Sequence, residues 1–208
     1  MDSEFLPPAM GGTGDASKMF EGYPYQNQET YSLARGYLMI ALGYHTFSLI
    51  SHVTGPIRND FMELILHHFF TVALIFNGYF ANLIPISCMI SLIHDNSDVF
   101  VYATRVFVDT IYDKVTFFWY CGIMTSFTYA RLYVYPFHLL YHAMWYNENP
   151  EFIPGFKLMY VFLHCLLGLH VYWYILMIKL GCTYLKKGAT ADTQHHTEFE
   201  IAKEKKNK

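Results

Sequence analysis

Two short runs of this 208-residue chain carry residue types that can move a proton. The first is His67-His68, with Asp60 and Glu63 before it and Thr71 after it. On an α-helix Asp60, Glu63, His67 and Thr71 fall on one face, at offsets of 3, 4 and 4, with His68 one position round. The second is His94-Asp95-Asn96-Ser97-Asp98, where His94 and Asp98 stand one turn apart and Arg105 lies two turns further on. An imidazole oriented by a carboxylate is what general acid–base chemistry requires. The same residues also suit a buried polar knot that only fixes helix packing.

Both runs sit inside apolar segments. Five such segments occur, about Leu33–Val53, Phe61–Asn82, Ile84–Tyr112, Val115–Leu140 and Phe156–Cys182. Each is long enough for the roughly 20 helical residues that span a bilayer core. The third is interrupted by Asp95, Asp98 and Arg105. Composition agrees with a membrane protein: 53% of residues are hydrophobic, 19% aromatic and only 15% charged, against about a quarter charged in soluble domains. The expected fold is therefore an all-α, polytopic transmembrane bundle of about five spans. Two His, two Asp and an Arg at bilayer depth cost several kcal/mol unless they pair or face water. Pairing of His67 or His68 with Asp95 or Asp98 across the second and third segments is the expected relief.

The chain divides into a polar arm (1–30), a transmembrane domain (31–182) and a charged tail (183–208). The arm lacks the basic start and apolar core of a signal peptide, so the first helix is expected to direct insertion. Arg58, Lys114 and the Lys-rich tail fall on one side of a five-span chain, and Glu148, Glu151 and the acidic arm on the other. The rule that cytoplasmic loops are rich in Lys and Arg then places the C-terminus on the cytosolic-type side and the N-terminus on the lumenal-type side. Lys205 and Lys206, fourth and third from the end, resemble a dilysine retrieval signal of the endoplasmic reticulum. A net charge of −3 without a basic stripe outside the tail argues against nucleic acid as a partner.

The order of residues from Asp60 to Arg105 resembles the Lag motif of ceramide synthases, within the wider TLC-domain family. The matching elements are Asp60-Phe61, His67-His68 with Thr71, Asn82, His94-Asp95 and Ser97-Asp98. Gly22-Tyr23-Pro24, Arg131 with Tyr135-Pro136, and Leu169-His170-Val171-Tyr172-Trp173 resemble flanking features of the same family. The resemblance covers roughly residues 20–182. It implies an N-acyltransferase of the endoplasmic reticulum membrane that joins a fatty acyl-CoA to a long-chain, sphingoid-type amine. His67 and His68 would supply the base or an acyl-accepting nucleophile, Asp95 and Asp98 would orient the imidazoles, and His94 would complete the cluster. Asp60, Thr71, Arg105 and Arg131 form the supporting polar set. Fatty acyl-CoA is a co-substrate, and neither a metal nor a tightly bound cofactor is implied.

Ceramide synthases carry further spans ahead of the Gly-Tyr-Pro stretch, which help close their helix barrel. The arm at 1–30 stands in that place, so the expectation is an incomplete TLC-type barrel, open on one side. A homodimer, or a larger membrane complex, would then fill the gap beside the membrane lipids. That expectation carries an alternative: a catalytically silent accessory or structural subunit of a large membrane complex, for instance a respiratory one of the mitochondrial inner membrane.

Other signals carry less. Di-iron membrane enzymes need several HxxxH and HxxHH boxes, whereas His138 and His142 form one HxxxH and His195-His196 lie in the tail. His45 and His52 share a face of the first span, directed either at the cluster or at the interface, and read chiefly as structural. His164 and His170, six apart, do not share a face, so they are not expected to meet at one site. Cys88, Cys121, Cys165 and Cys182 lie in or at the end of apolar stretches without a CxxC pair and read as small hydrophobes. The aromatic residues read as interface anchors and packing.

Overall fold

Long apolar runs with few Gly or Pro inside them favour helix, and the computed structural model is all-helical among the residues it describes: 4–21, 23, 31–57, 60–107, 113–148 and 156–187. The long helices are α1 (Ser32–Thr54), α2 (Phe61–Phe80), α3 (Ile84–Phe107), α4 (Asp113–Phe127) and α6 (Phe156–Lys187), with a short α5 (Tyr141–Glu148) between the last two. Glu63 in the first turn of α2 complements the positive end of that helix. Pro85 in the first turn of α3 gives up a donor that would have no partner there. The link between α2 and α3 turns on Asn82, whose φ of 60° is a left-handed conformation that Asn tolerates better than most residues. Arg35 of α1 donates to the Asn82 Oδ1 and ties the first helix to this turn.

From Thr128 to Leu140 the chain continues α4 as a π-helix, with Pro136 inside it. Pro136 has no N–H to donate, and its ring would collide with a carbonyl one α-turn back; a wider turn accommodates both. This stretch places Arg131 and Tyr135 inward.

Contacts between helices close a ring in the order α1, α2, α6, α4 with its π extension, α3, and back to α1, with α2 also touching α3. Close approaches depend on glycine. A Cβ on Gly78 of α2 would lie 1.8 Å from the Ser87 Oγ of α3. Every residue from Ile84 to Ser91 of α3 is buried. Part of that cover comes from the N-terminal segment, where Phe5, Leu6, Met19 and Phe20 join one core cluster with Met89, Ile90 and Ile93 of α3. Two 3-10 turns, Pro8–Met10 and Ala16–Met19, shape the segment.

Two expectations change here. The arm expected to be polar and unstructured packs into the bundle over residues 4–20, because its four large apolar side chains bury against α3, the π-helix and α6. The ring of five long helices also has no missing neighbour among the described residues. Two helices, Phe61–Phe80 and Phe156–Leu185, are long and apolar enough to cross a membrane. The residues that oriented the chain, Arg58, the Lys114 side chain, Glu148 and Glu151 with the charged tail, lie outside what the structure describes, as do Gly22 and Pro24.

A buried histidine cluster as candidate functional site

The helical spacing that put His67 and His68 on neighbouring faces of α2 makes them a bridge. The rings of His67 and His68 lie 5.3 Å apart, and His67 reaches His94 of α3 at 5.4 Å. His94 in turn meets His170 of α6 at 5.0 Å. In the other direction His68 meets His45 at 5.8 Å and His52 at 5.0 Å, both from α1. Six imidazoles from four helices thus form a continuous path. His45, His67, His68, His94 and His170 are all buried. Trp173 stands edge-on to His67 at 5.2 Å, and Tyr135 to His170 at 5.0 Å.

Hydrogen bonds fix how protons sit at the inner end. The His94 Nδ1 is 2.6 Å from the Ile90 carbonyl, so it carries the proton and donates. With a neutral ring, its Nε2 is then an acceptor. The His170 Nε2, 3.1 Å away, must be the donor of that pair. The Nδ1 atoms of His67, His68 and His170, and both ring nitrogens of His45, are buried with no hydrogen-bond partner among the described residues. Buried polar atoms are rarely left so, and a nitrogen in this state has its proton or lone pair free for an incoming ligand.

The carboxylates are engaged elsewhere. Asp98 accepts from the Arg131 Nη2, which also donates to the His94 carbonyl at 3.1 Å. The Arg131 guanidinium lies over the Phe127 ring, 4.9 Å from its centroid. Asp95 accepts from the Tyr37 hydroxyl of α1 at 2.5 Å. The expected pairing of His67 or His68 with Asp95 or Asp98 is therefore replaced: Asp98 turns to the π-helix and Asp95 to α1. Helix phase explains it. Residues 94, 95 and 98 of α3 span more than one face, and His94 occupies the one turned to α2 and α6.

The remaining predicted residues are placed as follows. Thr71 is fully buried and donates to the His67 carbonyl at 2.8 Å, one turn back along α2. Asp60 occupies the position just before α2, about 10 Å along the axis from His67 at 1.5 Å per residue. Arg105 is exposed near the end of α3, about 16 Å along the axis from His94 on the same rise, and the structure does not bring it to the cluster. Arg131 does join it. His170 was expected to matter only as part of a resemblance, His45 and His52 only as structure, and Tyr37 not at all. The available signal was position: each polar residue stands in a long apolar run, where burying it needs a reason. His164, exposed and bonded to the Tyr160 carbonyl, is apart from His170 as the spacing required. Among the described residues no group of three or more His, Cys, Asp or Glu is arranged to hold a metal ion.

A helical bundle with a buried histidine path on the motif residues is what a TLC domain would supply, and the family profile of the TLC domain matches residues 7–179. The chain belongs to the TLC-domain, ceramide-synthase-like family. It is similar to ceramide synthase 4 of Mus musculus, 31% identical over 175 residues, which is 83% of this chain and 44% of the relative. It is likewise similar to ceramide synthase 4 of Homo sapiens, 30% identical over 79% of this chain and 42% of the relative. With the Arabidopsis thaliana protein named ceramide synthase 1 LOH3 it shares 27% identity over 75% of this chain and 54% of the relative. The chain thus spans about half the length of the relatives it matches. No solved structure matches it.

Proposed function

We propose that this chain is a membrane-embedded N-acyltransferase that passes a fatty acyl group from a coenzyme A thioester to the amine of a long-chain, sphingoid-type base. The observation that carries the proposal is the buried His67–His94–His170 path, whose ring nitrogens are free at His67 and held at His94. Membrane insertion is supported by an inside-out distribution. His, Arg, Ser and Thr fill the interior, while Ile40, Phe47, Phe69, Phe80, Val106, Phe118, Phe137 and Leu185 are exposed on the outside of the long helices. Soluble monomers rarely expose so much apolar surface. In this reading five segments span the bilayer of the endoplasmic reticulum with the C-terminus cytosolic.

In the reaction, the amine nitrogen bonds to the thioester carbonyl carbon and the carbon–sulfur bond breaks. The nitrogen sheds one proton to an imidazole, with His67 in position to take it, and the leaving thiolate receives a proton. His94, locked by Ile90 and His170, keeps its ring orientation through that exchange. Arg131 bonds the His94 carbonyl and holds Asp98 on the same turn, a positioning role. Burial excludes water, which would otherwise hydrolyse the thioester.

The test is acyl transfer by the purified full chain in lipid nanodiscs, given acyl-CoA and a sphingoid base, with the amide product read by mass spectrometry. His67→Ala is expected to lower the rate by about 10²–10⁴-fold, the scale of a lost general base. An unchanged rate in His67→Ala and His94→Ala would refute the proposal. One observation favours a second reading, a catalytically silent subunit of a membrane complex. Both carboxylates expected to orient imidazoles are bound to Tyr37 and Arg131 instead, so the cluster can serve packing alone. Co-purification at fixed ratio with other membrane proteins, without acyl transfer, distinguishes that case.

A further inference from the structure

Away from the histidine path, the bundle has a partly enclosed cavity of about 280 Å³ between α1, α3 and the N-terminal segment. Leu33, Ala34 and Tyr37 of α1 form one wall, Cys88 and Leu92 of α3 another, and Phe5 and Leu6 close it. Apart from the Tyr37 hydroxyl and the Cys88 thiol, its walls are hydrocarbon. Both polar groups point to partners in the protein: the thiol to the Ala34 carbonyl at 3.8 Å, and the hydroxyl to Asp95. The cavity therefore offers nothing to a polar ligand. Small-molecule sites usually hold about 300–1,000 Å³, so this one has room for part of a chain rather than a whole substrate.

Its position ties it to the site. Leu92 stands two residues before His94, and Tyr37 spans from the cavity wall to the residue beside His94. The closing residues are held on purpose-built contacts. The Phe5 carbonyl lies 2.9 Å from the His138 Nε2 of the π-helix. Lys18 bridges Glu4 at 3.7 Å and Glu21 at 2.8 Å, drawing the ends of the segment together. Phe20 packs edge-on against Phe156, 6.3 Å away. A segment clamped at both ends makes a fixed stop for whatever enters the cavity.

We infer that this cavity receives part of the substrate's fatty acyl chain, and that Phe5 and Leu6 form its end and select chain length. The inference rests on the acyl-transfer reading for its substrate. An alkyl chain is the occupant that an apolar, partly open cavity bordering the histidine path accommodates. Entry is lateral, from the side of α1 that carries Leu33, which is exposed while lining the cavity. Chain selection follows from packing, since one methylene gained or lost in a hydrophobic pocket changes discrimination by about 10–200-fold.

The experiment uses the full chain in nanodiscs, acyl-CoAs of graded length, and a fatty acyl-CoA bearing a diazirine near its methyl end. Photolabelled peptides are mapped by mass spectrometry, a readout that needs no turnover. Label is expected on the peptides holding Phe5, Leu6, Ala34 and Cys88. Phe5→Ala with Leu6→Ala should move the ratio of long-chain to short-chain use up by about 10-fold or more, and Ala34→Phe, which fills the cavity, should move it down. The opposed signs keep the test valid should one variant fold poorly. Label confined to other helices, with acyl transfer intact, overturns the inference and leaves the function standing. Label in the cavity without any acyl transfer upholds the chain site and overturns the function. Neither label nor transfer overturns both.

Discussion

Removing Asp98 should destabilise this protein more than removing Arg131, although the two form one ion pair. The Arg131 side chain keeps only 5% of its exposure and that of Asp98 keeps 30%. In Asp98→Asn, the guanidinium stays buried with the His94 carbonyl and the Phe127 ring as its remaining partners. Breaking a buried pair from one side costs about 3–5 kcal/mol, because a charge is left without compensation. The retained hydrogen bond and ring contact put Asp98→Asn near the lower end, about 3 kcal/mol. In Arg131→Met the orphaned carboxylate can turn toward its exposed side, so the cost falls to about 1–2 kcal/mol. The double variant removes both charges and keeps most of the volume, so it should return to within about 1 kcal/mol of the starting protein. Unfolding of all four proteins in mild detergent, titrated with a denaturing detergent, gives the cycle directly. Additive single effects, or a cost for Arg131→Met equal to or above that for Asp98→Asn, would refute the reasoning.

Gly78→Ala should cost about 1–3 kcal/mol in the same assay, since its Cβ would collide with the Ser87 Oγ, and adding Ser87→Ala should recover most of the loss. Tyr37→Phe leaves Asp95 without its hydroxyl donor and should cost about 1.5–3 kcal/mol, the range for a hydrogen bond to a charged group; a change below the error of the measurement would show that the bond is not formed. His170→Phe preserves the ring contacts with Tyr135 and Phe127 but removes the donor to His94, so acyl transfer should fall at least 10-fold while stability changes little; restoration of the rate by His170→Gln would confirm a donor role.

Much of this molecule can be read from local pattern. Helix comes from apolar runs of membrane length, and the sharing of a face by His67 and Thr71 comes from a 3.6-residue period, both of which depend only on near neighbours in sequence. The turn at Asn82 and the π-helix around Pro136 also have local causes, although only the first kind of signal was legible beforehand. The motif residues His67, His68, His94, Asp95 and Asp98 stood out because buried polar groups in apolar runs need compensation.

What compensates them was not legible. Asp98 finds Arg131 from 33 positions away, Asp95 finds Tyr37 from 58, and His94 finds His170 from 76. Periodicity says which residues share a face and leaves open which face meets which helix, because that is settled by the order of helices around the ring and by close approaches such as Gly78 against Ser87. The N-terminal segment shows the same limit. Its composition is polar on average, yet four apolar side chains suffice to bury it against α3 once the bundle exists, and no helical or strand period marks it in advance. The chemistry of the site is thus a property of the residues in the sequence, while the pairing of its charges and the closing of its cavity belong to long-range packing alone.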